Sequence, residues 1–469
     1  MQNLGAREIK FGISDRGLLV LLFILLLGLD LRVEGAWRTV VDAPIRADAL
    51  DYYAYAYNMR NHGVYSRSSD AMRGDPSQLT ADAVRPPLYP LFLYPFAGKL
   101  PTFSTVTAIL VTQAILGTLS LILAFYIFRS FLSEVLAIAA TAMTAVSPHL
   151  ISLTHYVLTE TLFSVILVGM FYFLAKANTA NRYVFGVVGA LLAAASLTRP
   201  SAQYFIVPLL AFLFLHFDRK SATRAAVMLV LGFMLVFMPW IGRNLHTLGT
   251  ATDNSLAIHT LHHGLYPNFT YSNNTDLYGY PYRADPRSEE ISRSYATVFA
   301  EIKRRFETEP WPHIKWYVIG KPVAFWSWED AQGVGDIFQH PVASTPYRYL
   351  PQFKATRFIM KQLHWPLVIL GLIGCIIVWL PLRGIPRTKH SDLVLRSCSL
   401  LLIYFTALHV AGAPFPRYSI PLRPFLYGMA MVPIGMLITC LRQRRTQSQP
   451  TDSPAKLDNA GISKKKAIE

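Results

Sequence analysis

Apolar residues along this chain gather into long runs separated by short polar connectors, a pattern with the length of membrane-crossing helices. The first run, Gly17 to Leu29 (GLLVLLFILLLGL), is flanked by Arg16 and Arg32 and has no small-residue cleavage site before the sequence turns polar, so it reads as a retained first span. Further runs lie near 105–128, 135–148, 158–175, 183–197, 203–217, 225–241, 366–382, 394–412 and 421–441. They predict an all-α polytopic membrane protein of about ten spans, several short or interrupted by proline. The pattern divides the chain into an N-terminal transmembrane module, 1–242, that includes a first polar loop at 34–103; a second polar loop at 243–365; C-terminal spans at 366–441; and a disordered basic tail at 442–469.

The two polar loops carry their own patterns. The first predicts an amphipathic helix around Tyr52 to Arg60, followed by RPPLYPLFLYPF, whose prolines break a regular helix and whose apolar residues suit an interface. In the second, SEEISRSYATVFAEIKRRFETEP has helical spacing with a stop at Pro310. The stretch after it, WPHIKWYVIGKPVAFWSWED, holds four tryptophans and a phenylalanine, a density that suits an interfacial belt or a sugar-stacking platform. The chain shows no repeat of fixed period.

Composition then changes the reading of charge. With 52% hydrophobic and 15% charged residues, a net charge of +16 points away from nucleic acid and toward a membrane surface. Basic residues from Arg7, Lys10 and Arg16 through Arg182, Arg383 and Arg387 to Arg442, Arg444 and Arg445 collect on one side, which the positive-inside rule makes cytoplasmic, with both termini. Cys375, Cys398 and Cys440 fall in or beside spans, which argues against a disulfide framework or a metal cluster. Adjacent His262 and His263 are weak metal evidence, and the Asn-x-Thr triplets at Asn268 and Asn273 matter only in a cell that glycosylates them.

Three cations disobey the orientation rule: Arg199, Arg243 and Arg417 sit where predicted spans meet the outer surface. Singly, each fits a snorkelling side chain or a helix-carbonyl cap; three at one surface favour recognition of a phosphate, which guanidinium pairs in a planar fork. Glu160, beside His155, stands at the outer end of a span, either as a functional acid or as an N-terminal acid favouring the helix dipole. Asp48 and Asp51, three apart, share a face on a helix; a base with a neighbouring ligand and a solvated, capped loop both fit that spacing. Serine-elbow, Walker and His-Glu-x-x-His motifs do not occur.

Six stretches, in order, resemble one family: RADALDYYAYAYNMRNHGVYS, RPPLYPLFL, YVLTETLF, LTRPSA, MPWIGRN and RYSIPLRP. They are similar to the bacterial membrane glycosyltransferases of the GT-C superfamily, in the branch of protein O-mannosyltransferases and the lipid A aminoarabinose transferase (glycosyltransferase family 39). The resemblance covers the long second loop least. It implies a GT-C fold in the inner membrane, with the active site on the periplasmic face. The reaction it implies is inverting transfer of a hexosyl or pentosyl group from a polyprenyl-phosphate sugar to a periplasmic lipid, glycan or protein. Asp48 matches the family's essential acid and would be the base, Asp51 stands where relatives often have Glu, and Glu160 matches a further acid. Arg199, Arg243 and Arg417 match positions near the donor phosphate; Arg85, Tyr89 and Tyr418, from the same stretches, and His155, just before YVLTETLF, join them as substrate-binding candidates. Some relatives use a divalent metal ion and others none, and no diagnostic ligand set stands in this sequence. The competing classes are a flippase for lipid-linked sugars, which would need an anionic-lipid path across the membrane, and a polysaccharide ligase or polymerase, which would carry Arg and His motifs in its outer loops.

Overall fold

A computed structural model describes residues 13–177, 181, 183–272, 274–381 and 388–447. Arg7, Lys10, Arg182, Arg383, Arg387, Asn273, the side chain of Arg445 and the tail from residue 448 lie outside the described residues.

Regular structure in the described residues is helical apart from one two-stranded antiparallel ribbon, Val40–Val41 against Val342–Ser344, and an isolated bridge between Tyr271 and Asn274. Among the described residues, five helices are long and apolar enough to cross a membrane: Phe103–Arg129, Arg219–Leu248, Pro351–Ile377, Lys389–Ala411 and Pro416–Arg444. A sixth forms if Glu134–Val146 and Pro148–His155, bent by 47° at Ser147 and Pro148, act as one span. By length and composition alone, five or six of the ten expected spans meet the requirement among the described residues. Proline and polar breaks cut the other runs short, leaving Glu160–Leu174, Tyr183–Thr198 and Pro200–His216 as apolar helices of 10–17 residues. At 1.5 Å per residue, a helix of about 15 residues covers roughly 23 Å, less than the hydrocarbon thickness of about 30 Å. The first apolar run lies on helix Asp15–Arg38, whose outer half carries Asp30, Arg32 and Glu34. Helix Pro351–Ile377 begins within residues 243–365, and the last helix runs on to Gln447.

Lipid offers no hydrophobic drive between helices, so close packing rests on small residues. Helix Tyr183–Thr198 meets Arg219–Leu248 through glycine: a Cβ on Gly189 would fall 1.9 Å from the Leu229 carbonyl oxygen, and one on Gly232 equally close to that of Gly186. Pro351–Ile377 meets the last helix the same way, with Gly374 against the Met429 backbone. Arg32, buried within the bundle, donates to the carbonyls of Gly28, Thr144 and Ala145, capping the end of Glu134–Val146. The ribbon joins the two long polar loops, so both converge on one end of the bundle.

Candidate active site

Helix Asp48–His62 opens the site. Alanines at 49, 54 and 56 favour it, acids in its first turn suit the dipole, and Gly63 at φ 70° closes it in the left-handed conformation. Its tyrosines are anchors: Tyr53 donates to the carbonyls of Phe96 and Lys99, and Tyr55 pairs with Asp82. Just before Asp48, Ala47 sits at φ 46°, a strained backbone for a residue with a Cβ, costing roughly 1–3 kcal/mol.

The other charged side chains leave from helix ends or from beside prolines. Arg85 precedes Pro86 and Pro87. Arg199 follows helix Tyr183–Thr198 and precedes Pro200, which forces it into an extended conformation. Glu160 is the first residue of helix Glu160–Leu174, and Arg417 follows Pro416 at the start of the turn Pro416–Leu422.

These residues meet in an alternating chain of acids and arginines. Arg85 reaches Asp51 Oδ2 through Nη2 and Nε, at 2.9 and 3.1 Å, and Asp48 Oδ1 through Nη2 at 2.7 Å. Arg417 Nη2 takes Asp48 Oδ2 at 2.9 Å, while its Nε takes Glu160 Oε1 at 3.1 Å. Arg199 Nη1 takes the same Glu160 oxygen at 2.7 Å, and its guanidinium lies 4.6 Å over the Tyr418 ring. Tyr52 lies under Arg85, 5.3 Å from ring centre to guanidinium. The Glu160 side chain is 2% exposed and its Oε2 has no partner among the described residues. Burial raises the Asp48 carboxyl, but the charges and hydrogen bonds of Arg417 and Arg85 outweigh it and hold the group far below the usual carboxylate range.

Seven of the ten predicted site residues therefore come together: Asp48, Asp51, Arg85, Glu160, Arg199, Arg417 and Tyr418. The other three have their polar groups directed elsewhere. Tyr89 donates to Gln113 Oε1 at 2.8 Å, and Gln113 in turn holds the carbonyls of Thr154 and Tyr156. His155 is buried against Gly35, with Nδ1 3.3 Å from Thr39 Oγ1. Arg243 donates to the carbonyls of Asp82 at 2.7 Å and Tyr65 at 3.3 Å, bracing the first polar loop. A residue that sequence reasoning passed over is Asp330, whose Oδ2 accepts the backbone N–H of Arg417 at 2.8 Å. Its only signal was an acid closing the tryptophan-rich stretch.

The donor set does not suit a divalent ion: each acid of the chain accepts from arginine, and no group of three or more His, Cys, Asp or Glu side chains could hold a metal among the described residues. What the arrangement offers is guanidinium groups for an anion and a carboxylate for a proton, at the edge of an apolar bundle.

Comparison with known proteins agrees with this fold. Residues 84–242 match the family described as dolichyl-phosphate-mannose-protein mannosyltransferase; Arg85, Glu160 and Arg199 lie inside that segment, Asp48 and Arg417 outside it. No curated protein sequence matches the chain significantly. Among solved structures, the archaeal oligosaccharyltransferase AglB from Archaeoglobus fulgidus, in complex with an inhibitory peptide and a dolichol-phosphate, is similar at 14% identity and a TM-score of 0.50, covering 92% of this chain and 52% of its own. ArnT from Cupriavidus metallidurans, bound to undecaprenyl phosphate, matches at 13% identity and a TM-score of 0.36, covering 93% of this chain and 81% of its own. The chain spans about half the length of the archaeal enzyme. Residues 84–242 thus resemble the dolichyl-phosphate-mannose-protein mannosyltransferase family, and the chain shares the fold of the archaeal oligosaccharyltransferase.

Proposed function

We propose that the protein is an inverting glycosyltransferase that moves a sugar from a polyprenyl-phosphate donor to a lipid, glycan or protein acceptor at the periplasmic face of the inner membrane. The observation that carries this reading is the alternating chain itself: three arginines and three carboxylates where the polar loops meet the apolar bundle. A sugar leaving a polyprenyl phosphate needs positive charge at the departing phosphate and a base on the acceptor, and nothing else in kind. The dolichol-phosphate bound by the archaeal enzyme supports a lipid phosphate as the ligand class.

The chemistry balances on these groups. The acceptor oxygen attacks the anomeric carbon, its proton passes to Asp48, and the bond from that carbon to the phosphate oxygen breaks with its electron pair on the phosphate. Phosphate is a good leaving group, so the second carboxylic acid that glycoside hydrolases use is not required. Direct displacement inverts the anomeric centre.

In the structure both oxygens of Asp48 accept an arginine N–H, which makes it a weak base as it stands. A donor phosphate competes for the same guanidinium groups. When Arg417 turns from Asp48 to phosphate, the carboxylate loses one of its two stabilising partners and its basicity rises as the leaving group is neutralised.

The test is transfer itself. Purified protein in liposomes receives radiolabelled polyprenyl-phosphate sugar and a panel of lipid, glycan and protein acceptors. Label moving to an acceptor is the expected result; movement of the donor between leaflets without transfer would replace this reading with a flippase.

A further inference from the structure

The segment from Gly412 to Arg417 forms a strap between helix Lys389–Ala411 and the turn Pro416–Leu422, and it carries two prolines, Pro414 and Pro416. Proline has no N–H, so the strap holds itself with few backbone hydrogen bonds and needs outside partners. At one end, the N–H of Arg417 goes to Asp330 Oδ2 at 2.8 Å, while Asp330 Oδ1 accepts the N–H of Gln332 at 2.9 Å. At the other end, Lys321, fully buried, donates from Nζ to the Gly412 carbonyl at 2.8 Å, with the Tyr317 ring centre 3.4 Å away. Between them, Phe415 stacks on Phe269 at 4.9 Å and meets the edge of His263 at 4.8 Å. Gly264 lies so close that a Cβ there would fall 2.0 Å from the Gly412 carbonyl oxygen.

All of these partners belong to the second polar loop, 243–365, outside the family-matched segment 84–242. They are also tied to one another: Gly279 packs on the Ala331 backbone, and its carbonyl accepts from His263 Nε2 at 2.8 Å and Gln332 Nε2 at 3.3 Å. Asp330 is thus fixed within the loop and fixes Arg417 in turn. Burial drives its carboxyl up, against the pull of the Arg417 charge.

We infer that Asp330 and Lys321 are positioning residues: by clamping the two ends of the strap, they set the reach of the Arg417 side chain toward Asp48 and Glu160. The second polar loop would then control the arginine that meets the donor phosphate, without touching the donor itself. The inference rests on the proposed reading of Arg417, and the experiment separates the two.

Transfer rates at saturating and limiting donor are measured for Asp330→Ala, Asp330→Asn, Lys321→Met, Arg417→Ala and the double variants that combine each with Arg417→Ala, alongside thermal melts in detergent. Loss of a hydrogen bond to an ionised acceptor corresponds to about a tenfold loss in kcat/KM for Asp330→Ala. Asp330→Asn keeps one carbonyl oxygen for the Arg417 N–H and is expected to recover part of that loss. Lys321→Met, which leaves the acid in place, is expected to lower kcat/KM in the same direction. In the Arg417→Ala background, Asp330→Ala and Lys321→Met are expected to add less than about twofold, because a residue acting through Arg417 has nothing left to position. Losses that multiply in the double variants, or that follow the melting temperature alone, overturn the inference while leaving the reading of Arg417 intact. Unchanged transfer in Arg417→Ala alone overturns the reading of Arg417 and the inference with it.

Discussion

Replacing Asp48 with Asn removes one charge and almost no volume. The alternating chain then holds two carboxylates against three arginines, and the Arg417 guanidinium keeps only Glu160 as an acidic hydrogen-bond partner while Arg85 keeps Asp51. Two effects of opposite sign follow. Losing the proton acceptor is expected to lower kcat by about 10²–10⁴, or roughly 3–5 kcal/mol of barrier. Arg417, released from a contact of 2.9 Å in which its side chain is 17% and that of Asp48 27% exposed, becomes more available to an anion. A charge-assisted hydrogen bond of this kind is worth about 1.5 kcal/mol, so polyprenyl phosphate is expected to bind roughly tenfold tighter to the variant. A residue needed only for folding would weaken transfer and binding together. The assay pairs transfer of radiolabelled sugar with equilibrium binding of unlabelled polyprenyl phosphate, on protein that passes the same thermal melt. Transfer within about threefold of wild type would refute the role of Asp48 as base, and weaker phosphate binding in Asp48→Asn would refute the exchange of Arg417 between carboxylate and phosphate.

Other outcomes follow from the same geometry. Because Arg417 and Arg85 hold the folded Asp48 carboxyl below its unfolded value of about 3.9, its contribution to stability is fully present above that pH and is lost as the pH falls through the lower folded value. The melting difference between wild type and Asp48→Asn should therefore be constant from about pH 5 to 7 and shrink below about pH 4; a difference that grows on acidification contradicts the assignment. Glu160→Gln leaves Arg199 without its acid and Arg417 with one fewer at a side chain 2% exposed, and should cost roughly 3–5 kcal/mol, read as a clear drop in the melting midpoint. Arg243→Met removes two donors to the first-loop carbonyls and should cost about 1–3 kcal/mol of stability with the donor KM unchanged. A tenfold rise in donor KM at an unchanged melt would move Arg243 to the phosphate.

What the sequence revealed and what it hid have different physical origins. Glu160, Arg199 and Arg417 stand where an apolar run begins or ends, and a charge at such a boundary is costly without a partner, so position marks them, whereas Asp48 was singled out by its match to a family motif. Their partners were not legible. Arg417 meets Asp48 across 369 residues of chain, and packing, not local pattern, decides that Arg243 turns to the carbonyls of Asp82 and Tyr65. Tyr89 and His155 look alike in a sequence whether they face a ligand or a neighbouring helix; here one holds Gln113 and the other lies against Gly35. Asp330 escaped notice because its partner is a backbone amide, which every residue but proline possesses. The span count is not fixed by hydropathy, which registers an apolar run without measuring whether the helix on it is straight or long enough, as the 47° bend after Val146 illustrates.

The separation of Asp48 from Arg417 also orders the protein's biogenesis. Ribosomes deliver the chain from its amino end, so the helix bearing Asp48 is made long before the strap that bears Arg417, and the ribbon partner of Val40–Val41 emerges only at Val342–Ser344. Until then Asp48 has only Arg85, and Glu160 only Arg199, of the arginines that hold them in the finished site. A nascent or truncated chain has an incomplete site, and only the fully inserted protein joins the acid to its arginine.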